Sequence, residues 1–216
     1  MVAPAALPPQ VPLALILASA SPRRRELLAQ LAIPFTVIPA NIDESPLPNE
    51  LPRAYTMRVA HAKAQHIAQQ FPTAVVLGAD SVVVLEQQIL GKPRDLADAR
   101  HMLSRLSGRQ HTVLTGVAVL HQAQHLVRLD VVSTLVQFRP LSPSDIEPYL
   151  ATGEPLDKAG AYAIQGAGAA FVAAWDGCYT NVVGLPLRHT AMLLQAAGLR
   201  PSSPLTGSQH ARYRAP

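Results

Sequence analysis

The sequence has few aromatic residues, few charged residues and a single cysteine. Aromatic side chains make up 5% of the 216 residues and charged side chains 15%, whereas 49% of the residues are hydrophobic. This composition supplies an aliphatic core and disfavours wholesale disorder, and the low aromatic content argues against a stacking platform for single-stranded nucleic acid. Because Cys178 stands alone, no disulfide can form within the chain, which is consistent with the reducing cytoplasm.

Several common nucleotide-binding and metal-binding motifs are also absent. The sequence contains no G-x-x-x-x-G-K-[ST] loop, no G-x-G-x-x-G after a strand, no H-E-x-x-H and no C-x-x-C pair. P-loop nucleotidases, Rossmann dehydrogenases and the common zinc proteins therefore lose support as classes for this chain.

The excess of basic residues is confined to one end of the chain. The formal net charge is +4, but Arg200, Arg212 and Arg214 lie in a C-terminal stretch without acidic residues. Without these three, 15 basic residues face 14 acidic ones. The nearly neutral body gives little reason to expect nucleic acid as a partner.

An apolar run near the start of the chain has two interpretations. Residues 11–20 end in Ala-Ser-Ala, as a signal-peptidase site does, but the ten preceding residues contain no Lys or Arg. The run is also far shorter than the roughly 20 residues that cross a bilayer. A buried strand that leads into a loop is therefore favoured over a secretory leader, and neither a membrane partner nor secretion is expected.

Strand-like and helix-like patterns alternate along the chain and predict an α/β fold. We expect a flexible extension over residues 1–10, a single domain over residues 11–199 and a disordered tail over residues 200–216. No internal repeat or linker interrupts the domain. Strands are predicted at residues 13–18, 35–38, 74–85, 87–90, 111–121 and 126–138, and helices at residues 22–31, 53–70, 95–106, 142–151 and 186–197.

The first strand meets the first helix at a group of hydroxyl and guanidinium side chains. Ser21 and Pro22 are typical of a helix start, and Ser19, Arg23 and Arg24 surround it. A helix N-terminus attracts anions, so this junction could cradle a phosphate. An ordinary capped helix with solvated arginines explains the pattern equally well.

Asp80 is a carboxylate within a strand of otherwise aliphatic residues. A buried carboxylate is costly unless it meets a cation or hydrogen-bond donors. Asp80 could therefore bind a divalent metal ion or deprotonate water. The alternative is a solvated bulge, for which the nearby Gly78 gives some support.

Other polar residues could complete a site around Asp80. Asp43 and Glu44 follow the second strand and could add oxygen ligands to a metal site, although loop carboxylates are usually solvated. Lys92 follows Asp80 by twelve residues, and a hairpin would return it to the same end of the sheet. Solvent exposure is the alternative for this lysine, and a glycine-rich turn is the alternative for the segment that carries Gln165, whose amide could read a base edge.

Six short motifs occur in a fixed order between residues 13 and 198. They are LASASPRR at 17–24, DE at 43–44, RVAHAKA at 58–64, GADS at 78–81, GKP at 91–93 and VGLPL at 183–187. Together these motifs resemble the Maf family of nucleoside triphosphate pyrophosphatases. The resemblance implies an elongated mixed sheet flanked by helices, similar to inosine triphosphatases, with a central cleft between two lobes and hydrolysis between the α and β phosphates.

The family resemblance also implies roles for individual residues. Asp80 is the expected proton acceptor, and Glu44 and Asp80 are the expected ligands of a Mg²⁺ or Mn²⁺ ion. The expected phosphate-binding residues are Ser19, Arg24, Lys63 and Lys92. A cleft of this kind is compatible with a homodimer, although no exposed apolar stripe requires one.

Three positions separate the branches of the family. This chain resembles the dTTP/UTP branch in having arginine at position 23 and glutamine at position 165. Its Ser81 keeps the hydroxyl group of the threonine that is usual in that branch. A branch specific for 7-methylguanosine triphosphate tends to carry Trp, Gln and Glu instead. We therefore expect a dTTP and UTP pyrophosphatase, with a pyrophosphatase of 7-methylguanosine or other modified nucleotides, or a non-catalytic nucleotide-sensing regulator of septum formation, as the alternatives.

Overall fold

The computed structural model describes residues 13–202 and 211–214, which form one mixed sheet of eight strands flanked by helices. The strands are β1 (Leu15–Leu17), β2 (Phe35–Val37), β3 (Val75–Leu85), β4 (Gln88–Leu90), β5 (Gln110–His121), β6 (Leu126–Phe138), β7 (Val172–Gly177) and β8 (Ala211–Arg214). The helices are α1 (Pro22–Ala29), α2 (Pro52–Ala68), α3 (Leu96–Leu106), α4 (Pro143–Ala151), α5 (Tyr179–Val183) and α6 (Leu187–Ala196). The predicted α/β class is confirmed.

The sheet combines parallel and antiparallel pairs. Its order is β2-β1-β3-β5-β6-β7-β8, with β4 on β3. The strand β1 lies parallel to β2 and β3, and all other pairs are antiparallel. The long strands β3 and β5 are aliphatic and buried along almost their whole length. They form the centre of the core, as their near-continuous apolar runs indicate. No helix among the described residues is long and apolar enough to cross a membrane.

The helix α1 begins where the sequence predicts it. Ser21 caps the helix, since its side chain accepts a hydrogen bond from the backbone N–H of Arg24, and Pro22 occupies the first turn. Leu27 and Leu28 are buried against the sheet. The junction that follows β1 is therefore held rigidly, with Ser19 and Arg24 near its start.

Two glycines allow α2 to cross the sheet at very short range. A Cβ atom on Gly78 would lie 2.4 Å from the carbonyl oxygen of Ala60, and one on Gly116 would lie 2.4 Å from the carbonyl oxygen of Thr56. Gly78 lies within a regular antiparallel ladder to β5, so it marks a close helix contact and the alternative of a solvated bulge is wrong. This contact sets the distance between α2 and the sheet, and therefore the distance of Lys63 from the sheet.

We expect Gly78→Ala to lower the free energy of unfolding by roughly 1–3 kcal/mol, because the added methyl group must push backbone rather than a flexible side chain. Chemical denaturation at neutral pH measures this change. Gly91→Ala is the matched control, since a Cβ there meets no atom within 4 Å. Equal stability of the two variants would show that α2 does not need this close approach.

The chain end departs from the sequence prediction. Residues 200–216 are predicted to be a disordered tail, but Ala211–Arg214 forms a strand that pairs antiparallel with β7. Tyr213 stacks on Trp175 with the ring centroids 4.3 Å apart. Aromatic stacking and strand pairing therefore order a segment whose four-residue apolar–polar alternation is too short to predict a strand. The predicted extension over residues 1–10 lies outside the described residues.

Candidate active site

A cleft opens beside the central strand β3, where one of its edges has no neighbour. Residues 75–77 pair with β1 and residues 83–85 pair with β4, both on the edge away from β5. Along the described chain, no strand covers residues 78–82 on this edge. A cavity of about 550 Å³ lies there, so the lengths of β1 and β4 determine where a ligand can enter the sheet.

The polar residues of β3 reach this cleft from both faces of the sheet. Successive strand residues point in opposite directions, so Asp80 faces α2 and Ser81 faces α1. Both side chains line the cavity. One face therefore supplies an acidic group and the other supplies a hydroxyl group to the same space.

On the α2 face, Lys63 lies between two carboxylates. Its Nζ atom is 2.8 Å from Asp80 Oδ1 and 3.0 Å from Glu44 Oε1. Asp80 and Lys63 are 6% and 7% exposed, whereas the side chain of Glu44 is 48% exposed. The buried aspartate therefore has the cation that its burial requires, and Glu44 extends the acidic surface towards solvent.

Tyr55 holds the loop that carries Glu44. Its hydroxyl donates to the backbone carbonyl of Glu44 at 2.8 Å. Burial, and then the negative charges of Asp80 and Glu44, raise the pKa of Tyr55 to about 12, so the phenol stays a donor at neutral pH. Asp43 instead accepts a hydrogen bond from the N–H of Ser45 at 2.8 Å and is exposed. It does not line the cavity, and its interpretation as a further metal ligand is wrong.

On the α1 face, Arg24 makes three hydrogen bonds that fix its guanidinium. Nε donates to the carbonyl of Gly184 at 2.9 Å, Nη2 to Ser81 Oγ at 3.0 Å and Nη1 to Ser19 Oγ at 3.4 Å. Burial lowers the pKa of Arg24, and the charges of Asp80 and Glu44 oppose this effect. The group remains a fixed positive charge in the cleft wall.

Three further residues that the sequence analysis singles out, Arg23, Lys92 and Gln165, also line the cavity. Lys92 and Gln165 line the cavity with exposed side chains, and Arg23 Nη1 lies 3.8 Å from Asp157 Oδ2. Lys158 also lines the cavity and forms an ion pair with Asp157. No motif in the sequence points to Lys158 as a site residue, although it is the third of only three lysines.

Apart from Asp43, the predicted site residues therefore line one cavity, although they come from separate elements and loops. They are Ser19, Arg23, Arg24, Glu44, Lys63, Asp80, Ser81, Lys92 and Gln165. No group of three His, Cys, Asp or Glu side chains suited to a metal ion occurs within the described ranges. The donor set is thus two carboxylates amid several cations.

The open mixed sheet and the acidic and cationic cleft beside its central strand define an α/β protein with a polar binding cleft. The fold is similar to that of a HAM1 protein from Coxiella burnetii, with a TM-score of 0.52 over 85% of this chain and 99% of that chain. The two sequences are 16% identical, so this likeness concerns the fold alone.

The chain belongs to the Maf family, since the profile described as Maf-like protein matches residues 14–197. It is 57% identical over 187 residues to a dTTP/UTP pyrophosphatase from Anaeromyxobacter sp. (strain Fw109-5), covering 85% of this chain and 89% of that protein. It is also 55% identical over 185 residues to a dTTP/UTP pyrophosphatase from Myxococcus xanthus (strain DK1622), covering 86% and 93%.

Proposed function

We propose that this protein hydrolyses dTTP and UTP to the nucleoside monophosphate and pyrophosphate. The observation that carries the proposal is the meeting of a buried aspartate with Lys63 and Arg24 in one cleft, where charge of both signs suits a polyphosphate and its attacking water. The names of the two relatives support the same activity. The cytoplasm, which holds the nucleoside triphosphate pool, is the proposed location.

Asp80 is the group best placed to orient the attacking water and accept its proton. Its Oδ1 atom is held by Lys63, and the side chain lies at the unpaired edge of β3. Water attack at the α–β anhydride breaks that bond and leaves pyrophosphate. A carboxylate in hydrogen-bond reach of the water is suited to take its proton.

The cations of the cleft act on the phosphates. Arg24 and Lys63 are fixed by hydrogen bonds before a substrate arrives, so their charges need no rearrangement as negative charge develops on the leaving group. Lys92 lines the cavity with an exposed side chain, so its ammonium group can move with the triphosphate of the substrate as it binds. Ser19 lies at the start of α1, where backbone N–H groups add to this anion-binding surface.

A divalent ion fits the two carboxylates. Mg²⁺ is usually held by one or two carboxylates together with substrate phosphates and waters, and Glu44 and Asp80 are the two that both contact Lys63. We propose that these residues hold Mg²⁺ or Mn²⁺ with the nucleotide. The ion would supply charge neutralisation on the triphosphate.

Arg23, Ser81 and Gln165 are the proposed specificity residues. Gln165 offers both a donor and an acceptor to a base edge, and it lines the cavity with an exposed side chain. The ion pair with Asp157 restrains Arg23 at the mouth of the cleft. We propose that these three residues together make the protein prefer a pyrimidine nucleotide over 7-methylguanosine triphosphate.

A pyrophosphate-release assay over canonical and modified triphosphates tests substrate and metal together. We expect dTTP and UTP to have the highest kcat/KM, and EDTA to abolish turnover until excess Mg²⁺ or Mn²⁺ restores it, because without a divalent cation the carboxylates of Glu44 and Asp80 repel the negatively charged triphosphate. Release of orthophosphate in place of pyrophosphate would contradict the proposal. Preference for 7-methylguanosine triphosphate, or nucleotide binding without turnover, would support the two alternatives respectively.

A further inference from the structure

Thr115 lies behind the cleft wall and contacts the site through one hydroxyl group. It is fully buried in β5 and does not line the cavity. Its Oγ1 atom donates to the backbone carbonyl of Asn181 at 3.0 Å and lies 2.9 Å from Ser81 Oγ. A carbonyl oxygen can only accept, so the single proton of Thr115 is used in this first bond.

The direction of the next hydrogen bond follows from this proton count. Because Thr115 donates to Asn181, the nearest acceptor for the Ser81 proton is Thr115 Oγ1 at 2.9 Å, ahead of the Gly184 carbonyl at 3.5 Å. The lone pairs of Ser81 Oγ then face Arg24 Nη2, which is a donor in every state, at 3.0 Å. Without Thr115 the Ser81 proton could turn to the Gly184 carbonyl, 3.5 Å away, which is the acceptor that also holds Arg24 Nε.

The acceptor end of this chain is itself fixed. Asn181 is fully buried, and its Nδ2 atom donates to the Val113 carbonyl at 3.0 Å and to Thr134 Oγ1 at 2.9 Å. Both partners belong to the central strands β5 and β6. The carbonyl that receives the Thr115 proton is therefore held by the core of the sheet.

We propose that Thr115 is a positioning residue for Arg24. It sets the Ser81 hydroxyl as an acceptor, and this hydroxyl holds the guanidinium towards the polyphosphate tail of the substrate. The proposal rests on the proposed function, since it takes a polyphosphate nucleotide as the ligand. Ser81 then has a second role besides specificity, which is to accept the hydrogen bond from Arg24. A serine or a threonine hydroxyl group can perform this role.

The first test compares Thr115→Val, which keeps the shape but loses the hydroxyl, with Thr115→Ser, which keeps the hydroxyl. We expect Thr115→Val to lower kcat/KM for dTTP roughly tenfold, about the effect of one lost hydrogen bond, and Thr115→Ser to restore most of it. Thr56→Val is the matched control, because Thr56 is also fully buried and donates only to a carbonyl, that of Pro52 at 2.7 Å. Its kcat/KM should stay at the wild-type value.

A double-mutant cycle with Ser81→Ala separates positioning from general loss of structure. If Thr115 acts through Ser81, the double variant Ser81→Ala/Thr115→Val loses no more activity than Ser81→Ala alone. Losses that multiply, a wild-type kcat/KM in Thr115→Val, or failure of Thr115→Ser to recover activity would overturn the proposal. Thermal unfolding confirms that each variant is folded at the assay temperature.

A binding measurement distinguishes failure of this inference from failure of the proposed function. In the Asp80→Asn background, calorimetric titration with inorganic tripolyphosphate and Mg²⁺ should show roughly tenfold weaker binding after Thr115→Val. Equal binding by the two proteins would refute the role of Thr115. Absence of dTTP and UTP hydrolysis by the wild-type protein, with this difference in binding intact, would refute only the proposed function.

Discussion

Asp80→Asn is expected to lower kcat for dTTP and UTP at least about a hundredfold while the protein remains folded. Asparagine keeps the size of the side chain but cannot accept the proton of water, and general-base catalysis is typically worth roughly 10²–10⁴ in rate. It also removes one of the two carboxylates proposed to hold the metal ion. Lys63 keeps Glu44 as a partner at 3.0 Å, so the buried cation is not left alone. Pyrophosphate release at saturating Mg²⁺ measures the effect.

Asp43→Asn is the matched control for this prediction. Asp43 precedes Glu44 directly, and its carboxylate is exposed and caps Ser45 rather than lining the cleft. We expect its kcat to stay within about twofold of the wild-type value, as for most surface substitutions. If Asp80→Asn turned over substrate at the wild-type rate, Asp80 would not be the general base.

Lys63→Met is expected to affect both stability and turnover. The substitution leaves the buried Asp80 carboxylate without its 2.8 Å partner, and breaking a buried ion pair in this way costs roughly 3–5 kcal/mol. It also removes a preorganised cation from the proposed phosphate site, an effect that lowers kcat by about a hundredfold or more in comparable sites. Urea denaturation and pyrophosphate release measure the two effects separately.

Lys92→Met provides the comparison, because Lys92 lines the same cleft but is exposed. We expect it to weaken substrate binding without changing the free energy of unfolding by more than about 0.5 kcal/mol. If Lys63→Met were as stable as Lys92→Met, the Lys63–Asp80 pair would contribute nothing to the fold, and the buried-pair account of the site would be wrong.

Local chemistry made several elements predictable from the sequence. The cap at Ser21, the proline after it and the apolar run before it correctly indicate a strand–helix junction. The unusual carboxylate within an aliphatic run correctly indicates that Asp80 needs a cation. The two long strands predicted at residues 111–121 and 126–138 are confirmed as β5 and β6, which pair antiparallel across a short polar connection.

Long-range packing accounts for what the sequence did not reveal. Nothing local indicates that Lys63 is the cation beside Asp80, since their contact depends on the close crossing of α2 over Gly78 and Gly116. The proton chain through Thr115 likewise joins residues that are 34 and 66 positions apart. Strand β8 was missed because its partner β7 is remote in sequence and its apolar–polar alternation is only four residues long.

The unpaired edge of β3 has a consequence for how the site could arise on this fold. A longer β1 or β4 would pair with residues 78–82 and close the cleft, since neighbouring strands compete for the same backbone groups. The shortness of β1 and β4 is therefore as important for the cleft as the proposed catalytic residues that line it. The same opening brings the two faces of the sheet into one cavity.

A crystal structure of the Asp80→Asn variant with dTTP and Mg²⁺ tests the central claim most directly. The account predicts the triphosphate beside residues 78–82 of β3, in contact with Arg24, Lys63 and Lys92, and the pyrimidine near Gln165. A nucleotide bound elsewhere, such as in a separate cavity lined by Leu51, Glu86 and Gln110, would contradict it. A bound nucleotide whose phosphates face solvent and do not contact the Lys63 and Arg24 side chains would also contradict it.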